Sequence, residues 1–172
     1  GEFSDETYVF TETYSFGEEI VYPALPAREG YVFCGWMDEE GNFAAIPSTM
    51  PAEDMTFVAV WEPVEYHVRF VDDDGNVIFQ VSVEYGSEIP VSETTPTKEG
   101  YTFAGWVDAE GKSPYEYDKM PARDVTFVAQ WIPHEYTVVL DANGGEFSDG
   151  TYIFAETFGF GEEIVIPDFP IR

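Results

Sequence analysis

Cysteine is almost missing from this chain. Cys34 is the single one in 172 residues, so no internal disulfide can form and stability must come from packing. Its place among Phe33, Gly35 and Trp36 predicts a buried apolar filler. Basic residues are scarce as well: seven Lys and Arg stand against 34 Asp and Glu, for a net charge of −27. A field of that sign repels nucleic-acid phosphates and anionic lipid heads, so no nucleic-acid partner is expected, while cations and basic partners are attracted. No run reaches the roughly 18 apolar residues of a membrane span, and no basic-then-apolar signal opens the chain, so membrane insertion is not expected. The first residue is Gly rather than Met, which suggests a processed product or an excised fragment.

What the chain does have is apolar and aromatic residues interleaved throughout with the acids, a pattern that disordered acidic tails do not show. The acidity therefore belongs to a surface and the aromatics to cores. The chain also repeats itself. Glu29-Gly30-Tyr31-Val32-Phe33-Cys34-Gly35-Trp36 returns as Glu99-Gly100-Tyr101-Thr102-Phe103-Ala104-Gly105-Trp106, an offset of 70 residues from Gly35 to Gly105. Met50-Pro51-Ala52, Thr56-Phe57-Val58-Ala59 and Trp61 return at the same offset. Gly145-Glu146-Phe147-Ser148-Asp149 and Phe160-Gly161-Glu162-Glu163-Ile164-Val165 repeat Gly1 to Asp5 and Phe16 to Val21. The chain thus reads as a repeat unit at 1–62 lacking its first strand, a complete unit at 63–132, and the first hairpin of a third at 133–172.

In the complete unit Tyr66, Val68 and Phe70 alternate with His67 and Arg69. Asp74-Gly75 then marks a tight turn, and Val77, Phe79, Val81, Val83 and Tyr85 alternate with Gln80, Ser82 and Glu84. This predicts a β-hairpin with one buried face. Pro90 to Pro96 is extended or loop, Tyr101 to Trp106 a third strand with a bend or bulge at Gly105, and Val125 to Trp131 the last strand. Between them there is room for a helical turn near Met120-Pro121 at most. The fold class is mostly β, at most a small α+β, with little or no long helix.

At these residues the chain resembles the Listeria/Bacteroides repeat family, the internalin B-repeat of bacterial surface proteins. The marks are Tyr136 to Gly145, Tyr85-Gly86, Pro96 to Trp106, and Val125 to Trp131. The resemblance implies tandem β-grasp-like units of about 70 residues, an extracellular location on the bacterial surface or in secretion, and a stalk, spacer or adhesion role without catalytic residues. The alternative is a dedicated module binding a glycan or a host or neighbouring-cell protein. Its site would be the repeated aromatics or the first hairpin, which differs between Asp72-Asp73-Asp74-Gly75-Asn76 and Asp141-Ala142-Asn143-Gly144-Gly145-Glu146.

Several motifs admit a sharper chemical reading beside a plainer one. Trp36, Trp61, Trp106 and Trp131, with Tyr31, Tyr101, Phe33 and Phe103, could stack on sugars, but repetition at strand spacing favours a core. Asp72-Asp73-Asp74-Gly75-Asn76 lacks the spaced acids and bidentate Glu of a calcium loop, so it reads as a solvated turn. The acidic pairs Glu18-Glu19, Glu39-Glu40 and Glu53-Asp54 alternate across strand faces and suit no acid–base pair. His67 and His134 have no partner at motif spacing, and Lys98, Lys112 and Lys119 lie near turns, where isopeptide crosslinks do not form. No catalytic, cofactor-binding or metal-binding residue and no cofactor is therefore expected. The strand around Tyr8, Phe10, Tyr14 and Phe16 is expected to present an unpaired edge. Either that edge recruits the C-terminal hairpin of another copy by strand addition, giving head-to-tail self-association, or the chain ends simply lie against the chain's own units or its neighbours.

Overall fold

A computed structural model of the chain describes residues 10–22, 24–166 and 168. Its strands are β1 (Tyr31–Met37), β2 (Val58–Pro63), β3 (Glu65–Val71), β4 (Val77–Glu84), β5 (Tyr101–Val107), β6 (Val125–Pro133), β7 (Glu135–Asp141) and β8 (Ile153–Gly159). One three-ten turn, Pro114–Glu116, lies between β5 and β6, and no α-helix occurs among the described residues. The fold is mostly β, as the alternation predicted.

The middle repeat forms a four-stranded sheet in the order β4-β3-β6-β5. Its centre is parallel, with Val68 opposite Val125 and Phe70 opposite Phe127. β5 and β6 run antiparallel, and the register slips between Phe103 and Gly105, the predicted bulge. This is the strand order of a β-grasp sheet, although the connection after β4 stays extended through its prolines and carries no helix.

The chain divides into two compact units that interleave in sequence. One comprises Gly1–His67, Ser82–Ile89 and Asp118–Asp124; the other comprises Val68–Val81, Pro90–Tyr117 and Val125–Arg172. In the first, β1 pairs antiparallel with β2 around the same bulge, between Phe33 and Gly35, and Phe33 meets Trp36 and Trp61 edge-on at 5.3 and 5.5 Å. In the second, Phe70 and Phe127 are fully buried and stacked at 5.2 Å, with Trp106 edge-on to Phe70 at 5.1 Å. Each such ring contributes on the order of 2–3 kcal/mol by leaving water. β7 and β8 pair through seven residues, from Glu135 opposite Gly159 to Asp141 opposite Ile153.

Four expectations are corrected. Cys34 is exposed, because the period of two along β1 turns it outward with Val32 while Tyr31 and Phe33 face inward; Ala104 on β5 does the same. The helical turn forms at Pro114–Glu116 and not at Met120-Pro121. There Pro114 supplies a ready-made φ and the Glu116 carboxylate accepts from the Ser113 N–H at 2.6 Å, whereas Met120 is buried outside any helix or strand. Val77 is exposed beside its turn, so the inward alternation of β4 begins later, with Phe79, Val81 and Val83. Finally, residues 10–22 form no strand: Phe10 and Phe16 are exposed and Tyr14 half-buried. Nothing described pairs with them as β7 pairs with β8. Tyr8 and the segment Gly1 to Asp5 lie outside the described residues.

Candidate functional site

The feature built twice in the same way is a joint where one repeat meets the next. In the first compact unit the turn Arg28-Glu29-Gly30-Tyr31 is closed by the Tyr31 N–H donating to the Arg28 carbonyl at 3.1 Å. Gly30 takes φ +75°, which favours glycine, and the ring of Tyr85 lies where a side chain would begin, 2.3 Å from an ideal Cβ. In the second unit the turn Lys98-Glu99-Gly100-Tyr101 is closed likewise at 3.1 Å, Gly100 takes φ +76°, and Phe160 lies 2.2 Å from an ideal Cβ. Glycine is required at both positions by conformation and by space.

The same bonds tie each aromatic knob to its glycine socket. The Val64 N–H donates to the Gly30 carbonyl and the Tyr85 N–H to the Val64 carbonyl, both at 2.9 Å. The His134 N–H donates to Gly100 and the Phe160 N–H to His134, both at 2.7 Å. Val64 and His134 are the single residues between β2 and β3 and between β6 and β7. Tyr31 and Tyr85 meet edge-on at 5.5 Å, and Tyr101 and Phe160 at 5.6 Å. A cation covers each socket tyrosine, Arg28 at 3.9 Å from the Tyr31 ring and Lys98 at 4.7 Å from the Tyr101 ring. The aromatic pair, two backbone bonds and cation–π contact together amount to roughly 2–5 kcal/mol per joint. The sequence showed the Glu-Gly-Tyr block but not its partner, because the variable hairpin loop between socket and knob, Asp72–Asn76 in one case and the stretch after Asp141 in the other, changes their separation.

The acidic run is turned inward on its own turn. Asp72 Oδ1 accepts from the N–H groups of Asp74 and Asn76 at 3.0 and 2.7 Å, and Asn76 Nδ2 donates to Asp72 Oδ2 at 2.8 Å; the Asn76 side chain first of all holds the Asp72 carboxyl below its ordinary value. Asp38 and Asp108 cap their own turns in the same way. The legible signal for this was the recurring Asp-x-x-Gly spacing at Asp38-Gly41, Asp72-Gly75 and Asp108-Gly111. Asp73 meets the Lys98 ammonium at 2.5 Å, which lowers the pKa of Asp73 and raises that of Lys98.

The other candidates scatter. Among the described residues no three His, Cys, Asp or Glu converge as a metal site. His67 Nδ1 lies 3.2 Å from Ser82 Oγ, and Asp124 Oδ1 accepts at 2.8 Å from the His67 backbone N–H. That carboxylate contact positions β3; it is not the ring contact on which a Ser-His-acid relay is built. His134 Nε2 bonds Thr102 Oγ1 at 3.0 Å. Trp106 is buried, whereas Trp36, Trp61 and Trp131 are half-buried against Phe33 or Phe103.

Comparison with known proteins supplies a context. The profile of the Listeria-Bacteroides repeat domain matches residues 2–60 and 66–130. Internalin H of Listeria monocytogenes is 39% identical over 133 residues, covering 72% of the chain and 23% of that protein. A protein of Evansella cellulosilytica named as a Gly-rich membrane protein is 33% identical over 135 residues, covering 76% of the chain and 15% of that protein. The chain thus spans under a quarter of the length of these relatives.

Proposed function

The chain belongs to the Listeria-Bacteroides repeat domain family of bacterial surface proteins, and from that premise we propose that it is a spacer segment whose neighbouring repeats are tied by aromatic-on-glycine joints. Its work is mechanical rather than catalytic: it sets the distance at which a surface protein presents its other parts, outside the cell. The observation that carries this reading is the recurrence of one joint at Gly30–Tyr85 and Gly100–Phe160 with matching bonds, ring angles and cation placement. A flexible tether needs no such contacts, since a Gly- and Ser-rich linker separates two bodies at far lower sequence demand. The heavy negative charge suits the same task, because like-charged neighbours repel and a crowded array stays extended and soluble.

The test is rotational diffusion by NMR relaxation. In the unaltered chain the segment after Pro133 should share the relaxation behaviour of the residues around Gly100, and Gly100→Ala, which forces Phe160 off its socket, should let that segment move separately. Separate motion of that segment in the unaltered chain would overturn the reading.

A further inference from the structure

One aromatic stands in the knob position without a socket. Phe16 corresponds to Phe160, because Phe16-Gly17-Glu18-Glu19-Ile20 is repeated by Phe160-Gly161-Glu162-Glu163-Ile164. The two turns are built alike. The Glu18 N–H donates to the Ser15 carbonyl and the Glu18 carboxylate accepts from the Ser15 N–H, at 3.0 and 2.7 Å. Glu162 makes both bonds to Gly159 at the same distances. Gly17 takes φ +77° and Gly161 φ +80°.

The Phe16 turn is also anchored as the Tyr85 turn is. The Gly17 N–H donates to Met50 at 2.8 Å and the Met50 N–H to Glu18 at 2.9 Å, just as Gly86 donates to Met120 and Met120 to Ser87 at 3.0 and 2.8 Å. Yet Phe16 is 79% exposed, against 39% for Phe160, and no described residue accepts from its N–H. A large ring held in a shaped turn while facing water marks a contact surface.

We propose that Phe16 is the knob of a further joint, and that its occupant is the Glu-Gly-Tyr turn of another repeat of this family joined ahead of Gly1. The inference rests on the spacer reading and names the partner its joints take. A second copy of the chain is the poorer occupant, because the described sockets of such a copy, Gly30 and Gly100, are already filled by Tyr85 and Phe160. An attached repeat brings both the vacant glycine and the linker residue whose carbonyl, like those of Val64 and His134, would receive the Phe16 N–H.

The experiment compares the chain with a version extended ahead of Gly1 by a copy of residues 66–144, so that Gly144 runs into Gly1 as it runs into Gly145. Phe16→Ala should leave the Tm of the chain alone unchanged and lower that of the N-terminal transition of the extended chain by about 5 °C or more. Phe16→Tyr should keep the extended chain near its parent, since Tyr85 fills the same role. Gly→Ala at the added copy of Gly100 should reproduce the loss, and the double variant should be clearly less destabilised than the sum of the two single losses. Equal effects of Phe16→Ala in both chains, or none in either, would overturn the proposal. So would concentration-dependent association of the unextended chain that Phe16→Ala abolishes, which would make a second copy the occupant. The spacer reading fails separately, if Gly100→Ala leaves the original chain's own joint undisturbed.

Discussion

The ring of Phe160 occupies the space that a side chain on Gly100 would need, with Cγ 2.2 Å from an ideal Cβ. Gly111 has a comparable backbone, φ +82°, but open space around it. Gly111→Ala should therefore show only the strain of a left-handed residue, about 1–2 kcal/mol. Gly100→Ala adds displacement of the ring and should reach about 2–4 kcal/mol. Urea denaturation of both variants measures the difference, and equal losses would show that the ring simply moves aside.

Phe160→Ala should remove the clash along with the contact. Combined with Gly100→Ala it should be clearly less destabilising than the sum of the single changes, with a coupling of about 1 kcal/mol or more. Additive losses in a double-mutant cycle would mean that the two residues do not share one site.

The tryptophans should separate by burial. Trp106, packed on Phe70 and Phe103, should lose about 3–5 kcal/mol on Trp106→Ala. Half-buried Trp36 should lose distinctly less on the same change. Equilibrium unfolding followed by far-ultraviolet circular dichroism ranks the two, and a reversed order would contradict the described core.

Acid should weaken the Asp turns. Burial pushes the Asp108 carboxyl up, but the Tyr117 hydroxyl and the Lys112 and Glu110 amides outweigh it and leave the pKa lowered; Asp149 is lowered by the Thr151 N–H. A carboxyl lowered by folding adds stability that is complete above the unfolded value near 4 and disappears as pH falls through the folded value. The urea midpoint should therefore drop below about pH 4. Tyr117→Phe should shrink the part of that drop owed to Asp108, and an identical profile would remove Tyr117 from the account.

Cys34 should react with a thiol reagent in the native protein without denaturant, because its strand face is exposed. Labelling that required unfolding would restore the buried position its sequence neighbours suggested.

Periodicity, turn chemistry and repetition are local properties, and they made much legible from sequence alone: the mostly β character, the hairpin turn at Gly75, the bulge at Gly105 and the repetition itself. The face of Cys34 was not legible, because its neighbours on either side are apolar and one residue of register decides which way it points. The joints were hidden for a different reason. Gly30 with Tyr85 and Gly100 with Phe160 join residues across a hairpin of variable length, so no fixed spacing announces them.

The plainest division is between two near-identical segments. Thr56-Phe57-Val58-Ala59 and Thr126-Phe127-Val128-Ala129 have the same sequence, and alternation predicts a strand for both. β6 begins already at Val125 and Phe127 is fully buried, whereas β2 begins only at Val58 and Phe57 is half-buried. The difference is the parallel partner: Val68 to Val71 of β3 pair with Val125 to Val128, and among the described residues no strand does this for Met55 to Val58. Sequence set the capacity of these residues to form a strand. Only tertiary structure decided where it is realised, because a strand's backbone bonds and the burial of its inner face both come from a neighbour that the local sequence does not contain.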